Sequence, residues 1–230
     1  VEQSRTGVIV ALDTEDLAGA RGIIESTREL ANMYKVGSIL FTRFGPDAVR
    51  AVTDTGGEVF LDLKFHDIPN TVRGAVRNAC APGVRMLTIH ASGGVAMMAA
   101  AREGAEEGAA ASGAARPAVL GVTVLTSLAG PGTLDRVLEL ADDAVRARID
   151  GVVCSPGEVK YVKQTAGAGL LAVVPGIRLA GQGHDDQARV GTPSQALRDG
   201  ADYIVVGRSV TGAARPREAL EKIVRELSHA

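Results

Sequence analysis

Eight short apolar runs rich in β-branched residues recur along the sequence at intervals of roughly 20 to 35 residues. They occupy residues 8–12, 33–37, 59–64, 85–90, 118–125, 151–155, 171–175 and 203–207, and most are separated by Ala-, Leu-, Glu- and Arg-rich stretches with helical periodicity. That alternation predicts parallel strands joined by crossover helices. Eight βα units in 230 residues match the size of a closed barrel, whereas an open doubly wound sheet of this length more often holds about five to seven strands. The predicted fold is α/β, a (β/α)8 TIM barrel. The most Gly/Ala-rich stretch, residues 104–116, reads as a helix end and its loop, because strand-like sequence resumes directly after it. A single domain over residues 1–230 is therefore expected.

A hydrophobic content of 46% is enough for a substantial core. No uncharged apolar run approaches the length of a membrane span, and the N-terminus lacks a basic segment leading into an apolar run, so a soluble, cytoplasmic protein is expected. Net charge is −2 and basic residues are scattered, which leaves no footprint for nucleic acid or an anionic membrane. Cys80 and Cys154 lie far apart in apolar surroundings, the pattern of reduced core thiols.

Polar residues gather at the C-terminal ends of the predicted strands: Asp13, Lys35, Asp62, Lys64, His90, Thr126, Ser127, Arg178 and Arg208. In a barrel of this class that rim is where chemistry takes place. On the third strand, alternation of side chains places Asp62 and Lys64 on one face, toward the barrel mouth, and Leu61 and Leu63 on the other, toward the helices. An ammonium between carboxylates stays protonated. A structural ion-pair network is the better explanation of a lone Asp-x-Lys, but a cluster that adds Asp67 carries a desolvation cost more common at functional sites. His66 is expected to turn away from Lys64, as a packed or hydrogen-bonded residue. His90 either lines the pocket or sits satisfied under a loop, and His184 and His229 carry no assignment.

Val174-Pro175-Gly176-Ile177-Arg178 ends the seventh strand and Val205-Val206-Gly207-Arg208-Ser209 the eighth. Each sets glycine near arginine where barrels of this class often hold phosphate. Residues 179–192 form a polar segment long enough to cover a ligand or to be an ordinary exposed loop, with Gln187 its best candidate for a phosphate or base contact.

The segments DLKFHDIPNTV (62–72), ALD (11–13), KVG (35–37), LFTRFGP (40–46), HASGG (90–94), VTVLTS (122–127), DGVVCS (150–155), PGIR (175–178), DDQ (185–187) and VVGR (205–208) together resemble the bacterial orotidine 5'-phosphate decarboxylase family. The likeness runs through nearly the whole chain in the family's order. It implies a carboxy-lyase of pyrimidine (UMP) biosynthesis that needs no cofactor and no metal. Lys64 would be the acid that protonates pyrimidine C6, with Asp62 beside it. Asp67, Ile68 and Thr71 would cross a homodimer interface into the partner's site. Asp13 and Lys35 match residues that bind the ribose hydroxyls, Thr126 and Ser127 those near the pyrimidine, and Pro175 belongs to the same substrate-binding rim. Arg178, Gln187, Gly207 and Arg208 match the phosphate grip. Val174 stands where many members have Thr, Ala188 where a basic residue is common, and the stretch from Ser127 to Asp150 is shorter than in several relatives.

Three alternatives stay open at this level. A keto-sugar-phosphate decarboxylase or hexulose-phosphate synthase of the same superfamily would use magnesium to hold an enediolate. An aldolase would use Lys64 as a Schiff-base nucleophile, although flanking acids hold it charged. A non-catalytic phosphate-binding barrel would bind without turnover.

Overall fold

The computed structural model describes residues 7–128, 130–179 and 189–228. Strand β1 (Gly7–Ala11) leads to α1 (Leu17–Thr27), and β2 (Met33–Gly37) to the short helices α2 (Ser38–Phe44) and α3 (Pro46–Thr53). Strand β3 (Glu58–Phe65) leads to α4 (Pro69–Ala79), and β4 (Val84–His90) passes through a 3-10 turn to α5 (Gly94–Ser112). The second half continues with β5 (Ala118–Val122), α6 (Thr133–Arg146), β6 (Gly151–Val153), a 3-10 turn (Pro156–Glu158) and α7 (Val159–Ala166). It ends with β7 (Leu171–Val174), α8 (Pro193–Arg198), β8 (Tyr203–Val206), α9 (Arg208–Thr211) and α10 (Pro216–Ser228). Every strand pairs in parallel with its neighbours in sequence, and β1 pairs with β8 to close an eight-stranded barrel. All eight expected strands are present.

The strands read as continuous apolar runs because both of their faces are buried. Ile9, Ala11, Met33, Phe60, Met86, Leu120, Val173 and Val205 fill the barrel interior. Their neighbours in sequence, among them Val10, Val36, Leu61, Leu87 and Val206, pack outward with the helices. Each such side chain stabilises the fold by about 1.5–3 kcal/mol on burial.

Helix α4 follows directly on the segment that carries Asp67 and Ile68, so its packing fixes where that segment lies. A Cβ at Gly104 or Gly108 of α5 would collide with the carbonyl oxygens of Arg73 and Arg77 of α4. Glycine at both positions therefore sets how closely the two helices approach. Arg73 also forms ion pairs with Glu103 and Glu107 across the same contact.

Two strands depart from expectation. Strand β5 ends at Val122 rather than Leu125, because its partner β6 is only three residues long; Thr123 makes the last contacts, to the Val153 carbonyl. Strand β3 is bulged: Leu61 pairs with Leu87 but Phe65 pairs with Ile89, so four residues on β3 span two on β4. Among the described residues no helix is long and apolar enough to cross a membrane.

Candidate active site

The C-terminal ends of the strands open into a cavity of about 570 Å³, within the usual range for small-molecule sites. Ala11, Phe60, Val122, Val153 and Val205 supply apolar lining, so charges near them are poorly screened.

Four charged residues from β2, β3 and the end of β1 form one alternating chain within this cavity. Lys35 Nζ lies 2.9 Å from Asp13 Oδ1 and 3.6 Å from Asp62 Oδ2. Lys64 Nζ donates to both Asp62 oxygens at 2.8 Å. The Thr88 hydroxyl of β4 donates to Asp62 Oδ1 at 2.9 Å. Burial alone would push the Asp62 carboxyl up; the charges of Lys35 and Lys64, with hydrogen bonds from Lys64 and Thr88, outweigh it and hold the group below its ordinary value. Asp62 is therefore ionised at neutral pH. Gly37 makes room for the chain, since a Cβ there would lie 2.9 Å from Lys35 Nζ and 3.4 Å from Asp13 Oδ1.

The β3 bulge sets the position of Lys64. Its backbone adopts φ 52, a left-handed conformation that L side chains occupy at a cost of about 1–3 kcal/mol. Thr88 holds it there, its hydroxyl accepting from the Lys64 N–H at 2.9 Å while donating to Asp62. Asp62 and Lys64 do share one side, as expected, but through this bulge rather than regular alternation. His66 differs from expectation as well. Expected to be packed, it is exposed in the single chain, its ring centroid 5.5 Å from that of His90. His90 is absent from the cavity lining, and burial, then the nearby His66 and Lys64, lower its pKa against the opposing pull of Asp62.

Asp13, Lys35, Asp62, Lys64, Thr126, Ser127, Pro175, Arg178, Gly207 and Arg208 all line the one cavity. Thr126 and Ser127 are the central residues of a turn closed by the Leu128 N–H donating to the Leu125 carbonyl at 2.9 Å. Arg178 is buried after β7, its backbone N–H donating to the Gly191 carbonyl at 3.0 Å, whereas Arg208 is exposed at the start of α9. Asp67, Ile68 and Thr71 do not line this cavity. They are exposed between the end of β3 and the first turn of α4, where Asp67 Oδ1 accepts from the Ile68 N–H at 2.7 Å. Gln187 lies outside the described residues, as do His184 and His229.

Sequence reasoning missed Thr88, Ile39 and Phe60. The Thr88 signal was a hydroxyl between apolar Leu87 and Ile89 on β4. Ile39, 58% exposed, sits at the cavity lining, and nothing in its sequence context marked it. Cys154 also borders the cavity, but burial pushes its thiol up to about 12, which keeps it protonated and unreactive.

A family model described as Orotidine 5'-phosphate decarboxylase / HUMPS family matches residues 6–223. An orotidine 5'-phosphate decarboxylase of Vibrio cholerae serotype O1 is 49% identical over 229 residues, covering 96% of this chain and 97% of the relative. One from Moorella thermoacetica is 45% identical over 230 residues, covering 96% and 91%. The crystal structure of orotidine 5'-phosphate decarboxylase from Lactobacillus acidophilus superimposes with a TM-score of 0.82 at 36% identity, covering 96% of this chain and 99% of that one. Agreement of this kind in both sequence and barrel geometry makes the chain a member of the orotidine 5'-phosphate decarboxylase / HUMPS family.

Proposed function

We propose that the cavity binds orotidine 5'-phosphate and converts it to uridine 5'-phosphate and CO2, the decarboxylation step of pyrimidine (UMP) biosynthesis. The observation that carries this reading is the chain Asp13–Lys35–Asp62–Lys64, which places the Lys64 ammonium, gripped by both oxygens of Asp62, in a cavity bordered by two arginines.

Loss of CO2 breaks the C6–carboxyl bond and leaves its electron pair on C6, in an sp2 orbital orthogonal to the ring π system. Conjugation offers no sink, so a cation fixed beside C6 is the main stabiliser. Lys64 supplies that cation with little reorganisation, because Asp62, Thr88 and the bulge already hold it. A proton then passes from Lys64 Nζ to C6, forming the C6–H bond, and solvent returns a proton to the amine. The substrate carboxylate beside ionised Asp62 experiences a repulsion of roughly 4 kcal/mol at about 4 Å and an effective dielectric near 20. That repulsion fades as neutral CO2 departs, and carbanion stabilisation takes the larger share.

The remaining roles follow the cavity's two ends. Asp13 and Lys35 bind the ribose hydroxyls, and Thr126 and Ser127 border the pyrimidine. Pro175, Arg178, Gly207 and Arg208 hold the phosphate end, with Gln187 assigned there from sequence. Asp67, Ile68 and Thr71 complete the site of a second copy, in a homodimer. Ile68 supports this, since a 67% exposed isoleucine beside an acid suits an interface between copies. The chain acts as one barrel domain in the cytoplasm.

The magnesium-dependent alternative within the same family needs carboxylates available to a cation. Here Asp13 and Asp62 are each engaged by a lysine, at 2.9 and 2.8 Å. The test is to mix purified protein with orotidine 5'-phosphate, without added metal or cofactor and with excess chelator. Ultraviolet absorbance should change as uridine 5'-phosphate forms, and no conversion would overturn the reading.

A further inference from the structure

Arg189 lies outside the charged chain and does not line the cavity, yet its guanidinium joins three loops of the rim. Its Nη2 donates to the carbonyl oxygens of Val124 at 3.0 Å and Leu125 at 2.9 Å, beyond β5. Its Nη1 forms an ion pair with Glu158, beyond β6. Glu158 is itself fixed, because its Oε2 accepts from the Ser155 N–H at 2.7 Å and the Ser155 hydroxyl at 2.9 Å. The side chains of Arg189 and Glu158 are only 17% and 8% exposed. A pair taken this far out of water is costly to break, because removing one partner leaves the other charge buried and uncompensated; the buried Arg189 Nε has no hydrogen-bond partner among the described residues.

The carbonyls that Arg189 holds are not arbitrary. Leu125 O is the acceptor that closes the turn from Leu125 to Leu128, so Arg189 and the Leu128 N–H share it. Thr126 and Ser127 are the two central residues of that turn. A trans peptide is planar, with its carbonyl and N–H pointing in opposite directions. Pinning the Leu125 carbonyl toward Arg189 therefore turns the Thr126 N–H the other way and fixes the start of the turn. Strand β5 has already ended at Val122, so no ladder hydrogen bond does this work.

We propose that Arg189 is a positioning residue, which through the carbonyls of Val124 and Leu125 sets the turn that presents Thr126 and Ser127 to the substrate's pyrimidine. That the ring lies there rests on the decarboxylase reading above. A lysine cannot substitute, because a single ammonium lacks the planar fork that serves two carbonyls on one side and a carboxylate on the other.

The test is a double-mutant cycle between Arg189→Met and Ser127→Ala, with hydrogen exchange at the Leu128 amide as a second readout. Removing a charge-assisted hydrogen bond in Arg189→Met should lower kcat/KM by roughly ten- to a hundredfold. Ser127→Ala should then cost much less in the Arg189→Met background than in the parent, because the turn is already displaced. Arg208→Ala should cost the same factor in both backgrounds. The Leu128 amide should exchange at least about tenfold faster in Arg189→Met than in the parent. Arg189→Met/Glu158→Gln, which removes the orphaned acid, serves the same measurements if the single variant does not fold. Additive losses for Arg189 and Ser127, full activity in Arg189→Lys, or an unchanged Leu128 exchange rate would each overturn the proposal. If the parent protein shows no turnover, the decarboxylase reading fails, and the exchange experiment still decides whether Arg189 holds the turn.

Discussion

Lys64 and Asp62 meet two-pronged, with the ammonium nitrogen 2.8 Å from each carboxylate oxygen. The same carboxylate also faces Lys35 at 3.6 Å, so removing either lysine leaves Asp62 with a cationic neighbour. This redundancy separates the chemistry of Lys64 from the integrity of the fold and makes the site open to mutation.

Lys64→Ala should therefore fold and bind nucleotide while losing turnover by more than about a thousandfold, beyond the loss typical of one electrostatic donor. Circular dichroism melting and a decarboxylation assay on the same preparation check this. Substantial residual turnover would remove Lys64 from the mechanism.

Asp62 links the site to stability at low pH. Its folded pKa lies below the ordinary value of 3.8. Its contribution is thus fully present above that ordinary value and is lost as pH falls from there through the lower folded value. Melting curves of the parent should fall more steeply through this window than those of Asp62→Asn, in which the group no longer titrates. Parallel curves would contradict the assignment.

Thr88→Val tests the clamp on the bulge. The change keeps the side chain's shape but leaves the Lys64 N–H without its acceptor and Asp62 without one donor. Leaving such groups unmet costs about 1–3 kcal/mol, measurable by urea denaturation. Because the left-handed backbone of Lys64 also loses its hold, kcat should fall while KM changes little.

A shared site can be tested by mixing inactive parents. Lys64→Ala and Asp67→Ala should each be inactive alone. A mixed dimer contains one site with a native Lys64 and the other copy's native Asp67, so random reassortment should restore roughly a quarter of parental activity. Absence of recovery after subunit exchange, verified by sedimentation, would confine the site to a single chain.

The barrel was legible because its signal is repeated and local: each strand is apolar on both faces, as Ile9 and Val10 illustrate from opposite sides of β1. The placement of Asp13, Lys35, Arg178 and Arg208 around one cavity followed from strand ends alone. The β3 bulge was not legible, since it depends on Thr88 of the neighbouring strand, and strand periodicity contains no information about pairing partners. His66 was misplaced for a different reason: alternation sets residues two apart on the same face, so it never turned His66 away from Lys64. The bracing by Arg189 was hidden as well, because its partners Val124, Leu125 and Glu158 are 65, 64 and 31 positions away and contribute mostly backbone atoms.

The φ of 52 at Lys64 has a wider consequence. Glycine would occupy that backbone without strain, so Lys64→Gly should yield a protein harder to melt than Lys64→Ala, although both lack the ammonium. Selection for thermal robustness alone would drift away from lysine at this position, and only a requirement for turnover would keep it there.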